Sequence, residues 1–169
     1  NLAPSCAKAD EVRTLTIYNW QDYIFEGDEE TASTIDQFKE YYQEKYNEEI
    51  NVEYYTFETN ENMLNVLKTG KSQYDLVCPS DYAIQKMIKE DMLEPLNKEN
   101  IPNYYKYASP YIKDIFDNNS VVIEEGDRKN IEVTWSDYAI PFFWGTMGFM
   151  YDPSKVNEED VASWSILWN

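Results

Sequence analysis

The sequence predicts an α/β fold built on a mainly parallel sheet with flanking helices, and three observations carry that prediction. Strand-like and helix-like patterns alternate β-α-β-α-β-α from Arg13 to Leu93, an order that implies parallel strands joined by right-handed crossovers. Apolar residues make up 43% of 169 residues, enough to bury a core in one domain or somewhat more. Cap and stop residues fall at the ends of the patterned stretches: Thr59 before a helical stripe, Gly70 after it, and Pro79 after a strand.

Residues 1 to 12 are expected to form a tail. The first strand, around Thr14 to Tyr18, alternates Leu15 and Ile17 with threonines and runs into Asn19, Trp20, Asp22 and Tyr23. In EGDEETASTIDQFKEYYQEKY, Ile35, Phe38 and Tyr42 recur at helical spacing behind a run of acids, as in an amphipathic helix with negative charge at its start. INVEYYTF alternates Ile50, Val52 and Tyr54 as a strand does. TNENMLNVLKTG is a second helix with Met63, Leu64 and Leu67 as its stripe. YDLVCPS reads as a short buried strand that holds Cys78 inside. DYAIQKMIKEDML reads as a third helix with Ile84, Met87 and Ile88 facing inward.

The next stretch, NKENIPNYYKYASPYIKDIF, is irregular or made of short helices. SVVIEEGDRKNIEVTW holds two alternating runs around Gly126 and Asp127, which predicts a hairpin at about residues 120–135 protruding from the surface. YAIPFFWGTMGFMYDPSKV reads as an extended apolar crossing. DVASWSILWN opens a helix near Ser163 and stops within its apolar pattern, so the chain is expected to be a fragment.

Acids outnumber bases 32 to 14, for a net charge of −18. Such a surface repels nucleic acid and anionic membranes and concentrates cations, although solubility alone also accounts for it. There is no histidine, which removes histidine-based catalysis, most zinc sites and the usual switch near neutral pH. The two cysteines, Cys6 and Cys78, give weak support for one disulfide. No stretch is long and apolar enough to suggest a membrane span, and no signal peptide is visible. Cys6 in NLAPSC weakly resembles the lipid-anchoring cysteine of bacterial lipoproteins, with Ala3 where such boxes usually carry leucine.

Phosphate loops, nucleophile elbows and EF-hand spacing are missing. The paired acids, such as Glu29-Glu30 and Glu124-Glu125, sit at helix ends and loop tips, where they read as solvated faces and not as a catalytic dyad. What remains is a set of residues suited to gripping a cation. In a parallel sheet, ligands sit beyond the carboxyl ends of the strands. Trp20 and Tyr23 with Asp22, and Ser80 with Asp81 and Tyr82, fall on that one edge. An aromatic face attracts an ammonium group by about 0.5–2 kcal/mol, and hydrogen bonds to charged groups contribute about 1.5–3 kcal/mol each. The competing reading is that Trp20 and Tyr23 merely pack against the first helix.

The pieces LTIYNWQDYI, FETNENMLNVLKTGKSQYDLVCPSDYAIQKMIKEDMLEPLNKENIPN, IPFFWG and SWSILW occur in that order. Together they resemble the substrate-binding protein of bacterial polyamine ABC importers, the spermidine/putrescine type. The resemblance implies a periplasmic-binding-protein-like fold of two α/β lobes closing on a ligand. It implies a tail at 1–12, a first lobe at 13–142 containing the hairpin, and a crossover with the start of a second lobe at 143–169, the chain being truncated before most of that lobe. It implies ligand contacts from Trp20 and Tyr23, with Gln21 and Asp22 between them, and from Ser80 and Tyr82, with Asp81 between. It makes the opening aromatic cluster a binding lip with packing as its second task.

The partners so implied are a polyamine and an ABC-type permease. No cofactor, metal, catalysis or nucleic acid is expected. The location is extracytoplasmic: periplasmic or at the cell surface, lipid-anchored or fused to the permease. Half a site and an open sheet edge are expected to give weak binding and self-association. Alternatives are the same fold serving another small cation or an organic acid, a carbohydrate-active enzyme or sugar-binding module using the aromatics as platforms, and an interaction domain built around the hairpin.

Overall fold

The computed structural model describes residues 12–168. The expected roles of Cys6, as lipid anchor or disulfide partner, lie outside the described residues. Three parallel strands form the main sheet in the order β2-β1-β3, with β1 at Arg13–Trp20, β2 at Ile50–Phe57 and β3 at Leu76–Val77. β1 lies in the middle, paired along its full length with β2 from Arg13↔Ile50 to Trp20↔Phe57 and more briefly with β3 at Ile17↔Leu76 and Tyr18↔Val77. All three carboxyl ends therefore point to one edge, as the alternating order requires.

The connections are helical. α1, Thr34–Tyr46, begins at Ser33, whose Oγ accepts from Asp36 N–H. The acids at 26–30 precede this helix and do not belong to it, and Ile35, Phe38 and Tyr42 are only half-buried. α2, Asn60–Lys68, is capped by the Thr59 hydroxyl, which accepts from Asn62 N–H. α3 runs Asp81–Lys89, shorter than its apolar pattern suggests, because Asp91 turns left-handed at φ 56°.

The main core packs Tyr18 and Phe57 of the sheet against Met63 and Leu64 of α2 and against Ala83 and Met87 of α3. On the other side of α3, Ile88 meets Val121, Ile123 and Tyr138 in a second cluster. That cluster corrects the expectation of a protruding hairpin. β4, Ser120–Val122, and β5, Glu132–Thr134, do pair antiparallel. The hairpin, however, lies against α3, with Val121 and Ile123 buried. Glu124 and Glu125 N–H both donate to Lys89 C=O (2.7 and 3.1 Å), the last carbonyl of α3, while those of Lys86, Met87 and Ile88 take the N–H groups of Glu90, Met92 and Asp91.

Two further expectations change. β3 is an edge strand, not a buried one: Leu76 is 53% exposed and Cys78 half-buried, because β3 pairs with β1 on one side only. The final segment forms short 3-10 turns at Glu158–Val161 and Trp164–Trp168, not an α-helix. In the chain between α3 and the hairpin come α4 (Pro102–Tyr107) and α5 (Pro110–Asn118). Residues 140–151 run extended and unpaired, with Phe142, Phe143, Trp144, Met147 and Met150 exposed.

Candidate functional site

The site is built where β1 and β3 end. Trp20 closes β1 and sits opposite Phe57 in the ladder, its ring 4.7 Å from the Phe57 ring. Packing is thus a real part of its work, although it stays half-buried and retains an open side. Gln21 N–H reaches Phe57 C=O at 3.4 Å, and Asp22 adopts φ 56°, a left-handed turn that aspartate tolerates better than most residues. The turn reverses the chain and leaves Gln21 and Asp22 exposed. Tyr23 comes back toward the extended segment, edge-on to Phe143 at 5.1 Å and 6.0 Å from Phe142.

Beside these rings opens a cleft of about 560 Å³. Trp20, Tyr23, Ser80 and Asp81 line it; Gln21, Asp22 and Tyr82 do not. The floor is β3 with Cys78, whose thiol burial pushes above its ordinary value and so keeps neutral. The opposite wall comes from α5 and the extended segment, including Tyr111 and Trp144, whose rings lie 6.0 Å apart. Sequence reasoning missed this second aromatic pair, although the apolar run IPFFWG that carries Trp144 was the signal for it.

Ser80, Asp81 and Tyr82 open α3. Ser80 makes no side-chain cap on that helix. Its Oγ instead accepts from Asn60 Nδ2 at 3.0 Å, and its N–H donates to Asn60 Oδ1 at 3.1 Å. Tyr82 is 53% exposed and its Oη accepts from the same Asn60 nitrogen at 2.7 Å. Asn60 was also missed: it reads as an ordinary residue behind a helix cap, and only its burial marks it. Among the described residues no three His, Cys, Asp or Glu side chains come together as a metal would need, and no helix is long and apolar enough to cross a membrane.

Such an arrangement can hold a slender chain against aromatic faces while hydroxyl and carboxylate oxygens meet polar groups at its ends. Known proteins resemble the chain as a whole. The chain is 33% identical over 168 residues to the spermidine/putrescine-binding periplasmic protein of Escherichia coli, covering 99% of this chain and 40% of that protein. It is 30% identical to the putrescine-binding periplasmic protein SpuD of Pseudomonas aeruginosa, covering 96% of this chain and 38% of that one. A solved structure from Listeria monocytogenes, described as a candidate spermidine/putrescine ABC transporter, superposes with a TM-score of 0.54 at 30% identity, over 93% of this chain and 40% of that one.

This chain therefore spans about 40% of the length of those relatives. Its α/β lobe with a parallel sheet is of the periplasmic-binding-protein kind. The model of the family of bacterial extracellular solute-binding proteins matches residues 27–167. On that match, over most of its length, the chain belongs to the bacterial extracellular solute-binding proteins.

Proposed function

We propose that this chain forms one wall of a polyamine site in an extracytoplasmic receptor that passes its ligand to an ABC-type permease, without catalysis. The observation that carries the reading is the meeting of Trp20 and Tyr23 with Ser80 and Asp81 around one cleft at the carboxyl ends of β1 and β3. The aromatic faces suit the methylene chain and the ammonium groups of spermidine or putrescine, and the surrounding charge of −18 favours a cation over an anion. In this reading residues 13–142 belong to a first lobe and 143–169 to a crossover and the start of a second. Gln21, Asp22 and Tyr82, outside the cleft lining, contact the ligand only from the rim. Because half of the site is present, binding is weak. The open edge of β3 also favours association of copies, which light scattering at high concentration tests: a monomer under those conditions counts against it.

The experiment for the main reading is an NMR titration of the tryptophan indole signals with spermidine, against sodium chloride at matched ionic strength. Trp20→Phe identifies the signal. A Trp20 resonance that moves and saturates supports the reading. One that stays still in a folded chain removes Trp20 from the site and overturns the reading.

A further inference from the structure

The N-termini of α2 and α3 meet at Asn60, which is only 3% exposed. Its amide nitrogen has two hydrogens to give. Nδ2 donates to Ser80 Oγ at 3.0 Å and to Tyr82 Oη at 2.7 Å, so both are spent on these hydroxyls. Tyr82 passes its own hydrogen to Glu61 Oε1 at 3.2 Å. Having accepted from Asn60 and donated to Glu61, the phenolic oxygen has a lone pair left for a ligand and no hydrogen.

This polarity runs against the local backbone. Two helix N-termini converging on one point favour an anion, through their dipoles and free N–H groups. Here Glu61 and Asp81 stand in the first turns of the two helices. Asp81 Oδ1 accepts the Tyr82 N–H at 2.8 Å, which takes one of those groups out of use. At Tyr82 the corner thus presents an oxygen acceptor, flanked by the Glu61 and Asp81 carboxylates, where the helix ends alone would present donors.

We propose that Asn60 and Glu61 are positioning residues that fix the Tyr82 hydroxyl as a hydrogen-bond acceptor beside Ser80, so that this corner takes an ammonium group and turns away a carboxylate or phosphate. The inference rests on the polyamine reading given above and deepens it. Asn60 acts by aiming donors at both hydroxyls, and Glu61 by holding the phenolic hydrogen; neither has to touch the ligand.

The test uses the full 169-residue chain and follows the Trp20 indole signal with spermidine. Glu61→Gln, an exposed change that keeps an acceptor for Tyr82 but removes its charge, is expected to weaken binding by about tenfold, the gap between charge-assisted and neutral hydrogen bonds. In a Tyr82→Phe background the same change is expected to do little more, because the hydroxyl through which Glu61 acts is gone. Equal losses in both backgrounds mean that Glu61 acts on the ligand directly or through its long-range field, and overturn the proposal. So does unchanged binding in Glu61→Gln, or a parent chain that responds to succinate as it does to spermidine.

Asn60→Ala is expected to weaken spermidine binding, and unchanged binding in the folded variant overturns the role given to Asn60. If it fails to fold, the Glu61 and Tyr82 pair of variants still decides. A parent chain silent to spermidine brings down the polyamine reading together with this inference, whereas a responsive parent with an indifferent Glu61→Gln brings down the inference alone.

Discussion

Arg128 donates its Nε–H to Asp91 Oδ1 at 2.6 Å and so ties the β4–β5 connection to the residue that ends α3. Both backbones are bent to allow it, Asp91 at φ 56° and Gly126 at φ 73°. The approach is so close that a Cβ on residue 126 would fall within the Asp91 side chain. Gly126→Ala is therefore expected to destabilise the protein by about 1–2 kcal/mol through the left-handed backbone alone, and by more in total, because Asp91 must give up Arg128. Urea unfolding should show a lower midpoint with an unchanged slope. A midpoint equal to the parent's would mean that the hairpin is not held at this point.

Asp91 and Asp137 make the fold sensitive to acid. Burial raises the Asp91 carboxyl, but hydrogen bonds from the Arg128 side chain and backbone outweigh it and hold the group below its ordinary value. At Asp137 burial is likewise outweighed, by the Lys98 ammonium and by the Thr134 hydroxyl and N–H. Both groups bind protons more readily in the unfolded chain. The stability they contribute is thus complete above the unfolded value of about 3.9 and is lost as pH falls through the lower folded values. Acid unfolding should set in below about pH 4, and Asp91→Asn should flatten that dependence. An Asp91→Asn variant that loses as much stability on acidification as the parent excludes this account.

Arg128 and Asp91 also show where reading the sequence stops. β1, β2 and α2 are legible because their signals are local: alternation in TLTI and INVEYYTF, a threonine cap and a Met63-Leu64 stripe. The end of α3 and the seat of the hairpin are not, since they depend on partners 37 positions apart. β3 misleads for another reason. Leu76 and Val77 carry the composition of a buried strand, yet burial also requires a neighbour on the far edge, which two residues cannot announce. At the cleft, Trp20, Tyr23, Ser80 and Asp81 could be grouped because parallel order puts the ends of β1 and β3 together. Asn60 escaped because its partners lie 20 and 22 residues away, and nothing local distinguishes it from other asparagines in its helix.

Met63 has no exposed surface and lies among Tyr18, Phe57, Leu64, Ala83 and Met87, where sheet, α2 and α3 converge. Met63→Ala should cost about 2–5 kcal/mol through lost contacts and an unfilled cavity. Met150, fully exposed on the extended segment, is the matched control, and its change to alanine should stay within about 0.5 kcal/mol. Thermal unfolding of the two variants side by side measures the difference. Equal effects would mean that the buried cluster does not carry the stability assigned to it.

Capture of a polyamine should depend strongly on salt and weakly on pH near neutrality. The charge of −18 attracts a polycation at long range, and that attraction is screened as the Debye length shrinks from about 30 Å at 0.01 M to about 8 Å at physiological ionic strength. Contact at Trp20 acts at short range and is screened far less. Raising salt is therefore expected to slow association much more than it speeds dissociation, in stopped-flow tryptophan fluorescence with spermidine. With no histidine in the chain, carboxylates and amines keep their charges between about pH 6 and 8, so affinity should stay flat across that interval. An association rate indifferent to salt would show that the net charge serves solubility alone. A dissociation rate that rose in step with the fall in association would show instead that ion pairing, and not the aromatic faces, holds the ligand.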